Sequence, residues 1–191
     1  MIIEIKPGKF NYKSFLYGFL LGNSVTFNNE NKFLLVIEDK HQSYMRHIQQ
    51  KFSSLGYLKH FIMSKQLKKG KLNKVMQLHT DINYRELFSK GYLDIHKNKL
   101  PIDFFYFFNE EALCYWLMTE AKIKNKNLYV NMKNFNNKEI KSFILFLEKK
   151  FNLEKINLTN NWLEFNSNNI KKIYTITKPY IFSSMKFKFL T

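Results

Sequence analysis

The stretch 15-FLYGFLLGNSVTF-27 decides how this chain can fold. Its apolar first half contains Gly18 and Gly22, which are four residues apart and therefore fall on one face of a helix. Glycines with this spacing allow a second helix to approach closely, because no Cβ holds it away. The alternative is that a core helix merely tolerates the two glycines. The first interpretation predicts a partner helix elsewhere in the chain.

The hydrophobic pattern predicts the order helix–strand–helix–strand–strand–helix twice. In the first half, we expect helices over about 12–22, 41–54 and 84–90, and strands over 32–37, 60–67 and 74–79. In the second half, we expect a helix that begins near Asn109, helices over 137–151 and 168–177, and strands over 127–132, 153–158 and 162–165. A linker around 95–103 divides the chain into repeats 1–100 and 101–191. Each repeat alone would expose its first helix, so we expect the two apolar helices to pack together. The residues predicted at this repeat interface are Gly18, Gly22, Tyr115 and Thr119.

The charge of the chain indicates a polyanionic partner. The 191 residues include 31 Lys and Arg against 15 Asp and Glu, a net charge of +16. Nucleic acid is the commonest partner of such a surface, although the surface could be basic without any partner. Only Arg46 and Arg85 are arginines. Because lysine is a point charge suited to phosphate, we expect binding through backbone and shape more than through base edges.

The remaining composition excludes several classes of protein. Hydrophobic residues make up 45% of the chain, which is too apolar for disorder, and no apolar run reaches the length of a membrane span. We expect neither a signal peptide nor a transit segment at the N-terminus. The one cysteine, Cys114, is predicted in the core and excludes an intrachain disulfide. The excess of Asn, Lys, Phe and Ile over Ala is typical of an AT-rich organellar genome.

Two sets of lysines are candidate phosphate contacts. The first surrounds the turn 68-KKGKLN-73, and the second lies at the start of the second predicted sheet. On the first strand, Ser64, Gln66 and Lys68 alternate with Met63 and Leu67, as expected for a sheet with one polar face. The alternative is that these lysines are only solvated. The predicted contacts are Lys65, Lys68, Lys69, Lys71 and Lys74, followed by Lys122, Lys124 and Lys126.

The ordered set of these features resembles a single-chain, two-repeat LAGLIDADG homing endonuclease. The two motif helices are 16-LYGFLLGNS-24 and 113-LCYWLMTEA-121, and the resemblance extends to 83-NYRELFSKGYL-93, to 151-FNL-153 and to 179-PYIFSSMKFK-188. It implies an α+β fold in which tandem αββαββα repeats form a pseudo-two-fold saddle with two antiparallel sheets. It also implies a DNA-binding sheet surface and an acidic residue at the end of each motif helix, which together hold divalent metal at the scissile phosphates.

The sequence departs from the family pattern at the acidic positions. The first falls on Asn23, followed by Ser24, and the second falls on Glu120, followed by Ala121. An amide is neutral and a weak metal ligand, so we expect a loss of roughly a thousandfold or more in cleavage rate. Asn23 and Glu120 are therefore interpreted as vestigial positions, although Glu120 could simply be solvated or paired with nearby lysines.

These observations predict a catalytically inactive, homing-endonuclease-like protein that binds structured RNA. The family includes maturases, so the expected partner is intron RNA or ribosomal RNA in an organellar ribonucleoprotein such as the mitochondrial ribosome. We expect no cofactor, no membrane, no required homodimer and a place in the mitochondrial matrix. One alternative is an active, Mg²⁺-dependent, site-specific DNA endonuclease. The other is a DNA-binding repressor that does not cleave.

Overall fold

The first part of the chain alternates helices with antiparallel strands in a computed structural model. The model describes residues 12–22, 24–27, 33–38, 42–54, 58–68, 71–80, 100 and 104–190. Its elements are helix α1 (Tyr12–Gly22), strands β1 (Ser24–Phe27) and β2 (Phe33–Glu38), helix α2 (Gln42–Ser54), and strands β3 (Leu58–Lys68) and β4 (Lys71–Thr80). The helix predicted over 84–90 and most of the predicted linker lie outside the described residues.

The second part repeats this order after a single helical turn. Its elements are α3 (Phe104–Phe107), α4 (Glu110–Glu120), β5 (Lys122–Lys124), β6 (Asn127–Asn131), α5 (Asn137–Phe151), β7 (Asn157–Thr159), β8 (Trp162–Phe165) and α6 (Ser167–Thr177). Two 3-10 helices follow, Lys178–Tyr180 and Ser183–Lys188. The bounds predicted for α1 and α5 are confirmed.

The two sheets have the same topology. Their strand orders are β1-β2-β4-β3 and β5-β6-β8-β7, and every pairing is antiparallel. The predicted fold of tandem αββαββα repeats with two antiparallel sheets is therefore confirmed. The residue pattern missed β1 and β5, the first strand of each sheet. Both strands have only three or four residues, so their alternation of polar and apolar residues is a weak signal.

Asparagine side chains start three helices of the second repeat. Asn109 caps α4 by accepting a hydrogen bond from the backbone N–H of Ala112 at 3.1 Å, as predicted. Asn136 caps α5 and Asn166 caps α6 in the same way. An asparagine oxygen satisfies a backbone donor that the first turn of a helix leaves without a partner.

Asparagine also makes the tight turns of the second sheet possible. The two-residue turns Asn125–Lys126 and Asn160–Asn161 have positive φ at both positions, between 49° and 64°. This geometry matches the twist of a hairpin, and asparagine adopts it more readily than most residues. The turns hold β5 against β6 and β7 against β8.

The motif helices α1 and α4 pack directly against each other. Aligning the two motifs pairs position 15 with 112 and position 18 with 115. Gly18 meets the backbone of Ala112, and in the two-fold-related contact Phe15 meets the ring of Tyr115, with ring centroids 4.7 Å apart. Such reciprocal contacts are what a two-fold axis requires. One contact joins two small residues and the other joins two aromatic rings. The two-fold symmetry therefore relates the positions of the contacts but not the sizes of their side chains.

The repeats share one apolar core. Phe104, Phe108 and Trp116 pack with Phe143 of α5, while Tyr17 of α1 packs edge-on to Phe104. Cys114 is buried in this core, as predicted, and burial raises the pKa of its thiol. Within the described part of the chain, no helix is both long and apolar enough to cross a membrane.

Candidate nucleic-acid interface

Glu120, the surviving acidic position, is the last residue of α4 and is half-buried. Burial raises the pKa of its carboxyl group, and this outweighs the opposing effect of Lys188, Lys122 and Lys133. Among the described residues, the charges that act on this carboxylate are therefore those of three amines. Such surroundings repel a divalent cation and suit a phosphate better.

Lys188 is one of the three lysines that act on Glu120, and sequence reasoning did not identify it as a site residue. Its side chain is buried, and its Nζ donates a hydrogen bond to the backbone carbonyl of Met118. This carbonyl belongs to the last turn of α4, where carbonyl groups lack partners within the helix and a positive charge is stabilising. Lys188 thus ties the C-terminal segment to the end of the motif helix. The only signal was its place at the end of the quoted segment 179-PYIFSSMKFK-188.

Hydroxyl groups join the end of α4 to helix α2 of the first repeat. The Thr119 hydroxyl donates to the backbone carbonyl of Tyr115 at 2.7 Å and is 3.1 Å from the hydroxyl of Tyr44. The Tyr115 hydroxyl lies 2.9 Å from Nε2 of His47. Tyr115 and Thr119, predicted at the repeat interface, therefore make polar contacts to α2 in addition to the helix packing.

The second sheet presents a polar face to solvent, which we call the open face. On β6, Asn127, Tyr129 and Asn131 alternate with buried Leu128 and Val130. On β8, Trp162 and Glu164 alternate with buried residues in the same way. The ladder places Lys122, Tyr129 and Glu164 in one row, and Nζ of Lys122 lies 5.1 Å from the centre of the Trp162 ring. Period-two alternation in 127-NLYVN-131 and 162-WLEF-165 could have identified this face.

Glu164 is a fixed negative charge on the open face. Its Oε1 accepts hydrogen bonds from the Tyr129 hydroxyl at 2.6 Å and from Asn127 Nδ2 at 2.7 Å. These bonds, with that of Tyr129 the stronger, lower the pKa of Glu164. The carboxylate therefore stays ionised and orients its two neighbours. The open face combines one lysine-rich edge with an ordered acceptor, which suits a partner that offers both phosphates and base edges.

The predicted basic hairpin is formed by β3 and β4, and its register separates the lysine positions into two sets. Lys68 pairs with Lys71, whereas Lys65 pairs with Lys74. Positions 62 and 68 are six residues apart and therefore lie on the same face of β3, and Ile62 is 45% exposed. Position 65 is three residues from both and lies on the opposite face. Lys69 lies outside the described residues. Phosphate contact by this set stays a prediction.

The other predicted site residues fall as follows. Lys122 and Lys124 are exposed on β5, and Lys126 is exposed in the turn that follows. Gly18 lies in the helix contact, and Gly22 is the last residue of α1. Asn23 lies outside the described residues. Among the described residues, no three His, Cys, Asp or Glu side chains are grouped as metal ligands would be.

Comparison with known proteins identifies related sequences. Residues 13–173 match the model of the LAGLIDADG DNA endonuclease family. The cytochrome b mRNA maturase bI2 of Debaryomyces hansenii is 26% identical over 187 residues, covering 91% of this chain and 71% of the relative. The probable intron-encoded endonuclease 1 of Wickerhamomyces canadensis is 28% identical over 172 residues, covering 83% and 74%.

Solved structures agree with the fold. The homing endonuclease I-WcaI bound to its DNA recognition sequence aligns with a TM-score of 0.74 at 26% identity, covering 93% of this chain and 84% of that one. The N-terminal LAGLIDADG domain of DUF199/WhiA aligns with a TM-score of 0.53 at 14% identity, covering 87% and 79%, which supports the fold alone.

Proposed function

The chain belongs to the LAGLIDADG DNA endonuclease family, and from this premise we propose that it binds structured RNA as a maturase and does not cut DNA. The observation that carries the proposal is the chemistry of the two positions where the family pattern has acidic residues. Asn23 stands at one of the two acidic positions, and Glu120 at the other is half-buried among amines.

This centre does not fit a divalent metal ion. Mg²⁺ favours several oxygen ligands, and carboxylates supply the charge that holds it. Burial favours the protonated form of Glu120, and Lys188, Lys122 and Lys133 act on it as positive charges. At the other acidic position, the sequence has the neutral amide of Asn23 in place of a carboxylate. The proposed function therefore uses no metal-dependent step.

The surface that remains suits RNA. Lys122, Lys124 and Lys126 supply exposed positive charge at the edge of the open face. Next to them, Tyr129 and Trp162 offer rings and Asn127 offers an amide. Proteins recognise RNA through phosphates, shape and unpaired bases that stack on aromatic side chains. The similarity to a relative named as an mRNA maturase supports intron RNA as the partner.

We place the protein in the mitochondrial matrix on two grounds. The composition is typical of an AT-rich organellar genome. One yeast relative is named for cytochrome b mRNA and another for an intron. A stable role in a ribonucleoprotein such as the mitochondrial ribosome is the other form that RNA binding could take.

Cleavage is tested with the purified protein, Mg²⁺ and a plasmid library that carries random inserts. We expect no linear product at any enzyme concentration. Site-specific double-strand cuts that disappear in Glu120→Gln would overturn the proposal. A nick in one strand only, lost in the same variant, would show that half of the centre still works.

RNA binding is tested by crosslinking the native protein in mitochondrial extract and sequencing the attached nucleic acid. We expect intron or ribosomal RNA to dominate the reads. Sedimentation of the protein free of RNA at physiological salt would contradict the proposal. Enrichment of one long asymmetric DNA duplex would instead indicate a repressor.

An active DNA endonuclease is the second candidate. Two observations favour it: the similarity to I-WcaI, solved with its DNA recognition sequence, and the retained carboxylate of Glu120. The plasmid experiment separates the two candidates, because only the endonuclease produces cuts that depend on Glu120.

A further inference from the structure

A groove of about 460 Å³ lies between helix α2 and the C-terminal segment. The described residues that line it are Gln42, Ser43, Arg46, His47, Gln50 and Phe182. Five of them come from α2, and Phe182 comes from the C-terminal segment. The volume falls within the range of roughly 300–1,000 Å³ that small-molecule sites occupy.

The lining has the chemistry of a nucleotide site. It combines a guanidinium group, two amides, a hydroxyl, an imidazole and an aromatic ring, and none of its six residues is acidic. Helix α2 as a whole, QSYMRHIQQKFSS, contains no acidic residue. A guanidinium group binds phosphate or a guanine edge through two hydrogen bonds, and amides pair with base edges. Exposed Arg46 is one of only two arginines in the chain.

Two stacked rings, one of them hydrogen-bonded to α4, form part of the groove wall. The rings of His47 and Phe182 are stacked, with centroids 4.6 Å apart and planes 21° apart. His47 is held from below by Tyr115, whose hydroxyl lies 2.9 Å from Nε2. Burial, with Lys51 acting in the same direction, lowers the pKa of His47, so its ring is neutral at pH 7. Phe182 is only half-buried, and part of its ring faces the groove.

The matching helix of the second repeat carries different residues at the positions that line the groove. The pairs Lys51-Phe52 and Lys150-Phe151 align α2 with α5, and they also align buried Ile48 with buried Leu147. In this alignment, Leu145 replaces Arg46 and Phe146 replaces His47. Leu145 is 66% exposed, and Phe146 packs against Phe105, Phe108 and Phe143. The repeat fold therefore does not require an arginine and a histidine at these two positions.

We propose that the groove between α2 and Phe182 binds one unpaired nucleotide of a structured RNA. The base lies against the Phe182–His47 stack, Gln42 and Gln50 contact its edge, and Arg46 contacts its phosphate. This inference rests on the proposed function, since it supplies a second RNA contact on the helical side of the protein. The site would hold a bulged or loop nucleotide while the sheets contact the helical part of the RNA.

The test measures fluorescence anisotropy of 5′-labelled RNA hexamers rA6, rC6, rG6 and rU6, and of a 20-base-pair RNA duplex. Arg46→Ala and Gln50→Ala are compared with Lys141→Ala, which removes a charge from an exposed position of the corresponding helix α5. We expect Arg46→Ala to weaken the best hexamer about tenfold and Gln50→Ala to change the preference among the four bases. Lys141→Ala should change hexamer affinity by less than about twofold. All three variants should bind the duplex within about twofold of the wild-type protein.

A positional readout makes the outcome decisive. Photocrosslinking with a hexamer that contains 5-iodouridine should label the peptide carrying Phe182 or the one carrying His47. Labelling confined to β5–β8 peptides, or equal hexamer affinity in all three variants, would overturn the groove assignment while leaving the proposed RNA function intact. Binding of an acidic phosphopeptide at this groove, with no hexamer binding, would identify a protein partner instead. A wild-type protein that bound neither the hexamers nor the duplex would contradict both proposals.

Discussion

Gly18 of α1 lies against Ala112 of α4 so closely that a Cβ at position 18 would stand 2.6 Å from both the Cα and the carbonyl carbon of Ala112, and closer still to its oxygen. Backbone atoms cannot rotate away as a side chain can. The two helices would have to separate to admit even one methyl group. The close approach that the glycine spacing predicts is therefore real at Gly18.

We expect Gly18→Ala to lower the free energy of unfolding by about 2 kcal/mol, because overpacking outweighs the gain of about 1 kcal/mol in helix propensity. Gly18→Val should cost more. Urea unfolding followed by circular dichroism measures both. Gln50→Ala, at an exposed helical position, serves as the control and should change stability by less than about 0.5 kcal/mol. Increased stability of Gly18→Ala would mean that the helices separate at little cost.

Stability should fall as pH rises towards 8, because Glu111 is buried in the first turn of α4. Burial raises its pKa from 4.5 to about 7, although Lys51 acts to lower it. A carboxyl group with a raised pKa in the folded state favours folding when protonated, so this contribution is complete below pH 4.5 and disappears as pH rises through 7. After allowance for solvent screening, we expect the wild-type protein to lose about 2 kcal/mol more than Glu111→Gln between pH 5 and pH 8.

The control for Glu111 is Glu110→Gln, which removes a charge from the same helical turn. Both glutamates interact with the positive end of the helix dipole, and only Glu111 is buried. Thermal unfolding at several pH values separates them. Parallel pH profiles for wild type and Glu111→Gln would rule out Glu111 as the origin of the pH dependence.

Lys188 should stabilise the end of α4 through its bond to the Met118 carbonyl. Lys188→Met keeps most of the apolar volume but leaves that carbonyl without its partner, at an expected cost of about 1–3 kcal/mol. Lys186→Met, at an exposed position two residues earlier, should be nearly neutral. Chemical denaturation compares the two. Equal stability of the two variants would mean that water replaces the amine at no cost.

Lysines on the edge of the open face should contribute to RNA affinity through phosphate. Each of Lys122→Ala and Lys124→Ala should weaken binding of the 20-base-pair RNA duplex and reduce the slope of log K against log salt by about 0.7–0.9. Lys155→Ala, at an exposed position before β7, should leave the slope unchanged. Binding isotherms at several salt concentrations give the slopes. Unchanged slopes in both β5 variants would indicate that the RNA binds another face of the protein.

Local patterns predicted much of the fold, and their failures have physical causes. The 3.6-residue periodicity of α5 and the Asn109 cap of α4 were recognisable because each depends on neighbouring residues. The helical turn 104-FFYF-107 was not predicted, and it lies where Phe104 packs against Tyr17 of the other repeat. Strand β5 has only three residues, all of them exposed, so its Lys-Ile-Lys alternation is too short to indicate a buried face.

The sequence by itself determined that two apolar helices would meet, that the chain would be strongly basic, and that an amide would stand at the first acidic position. These properties depend on residue identity and short spacings. Tertiary structure alone decided that Lys188 reaches Met118, that Phe182 covers His47, and that Glu111 is buried. Each joins or encloses groups from elements distant in the chain, and pKa values and hydrogen bonds depend on distance and burial, which no local pattern specifies.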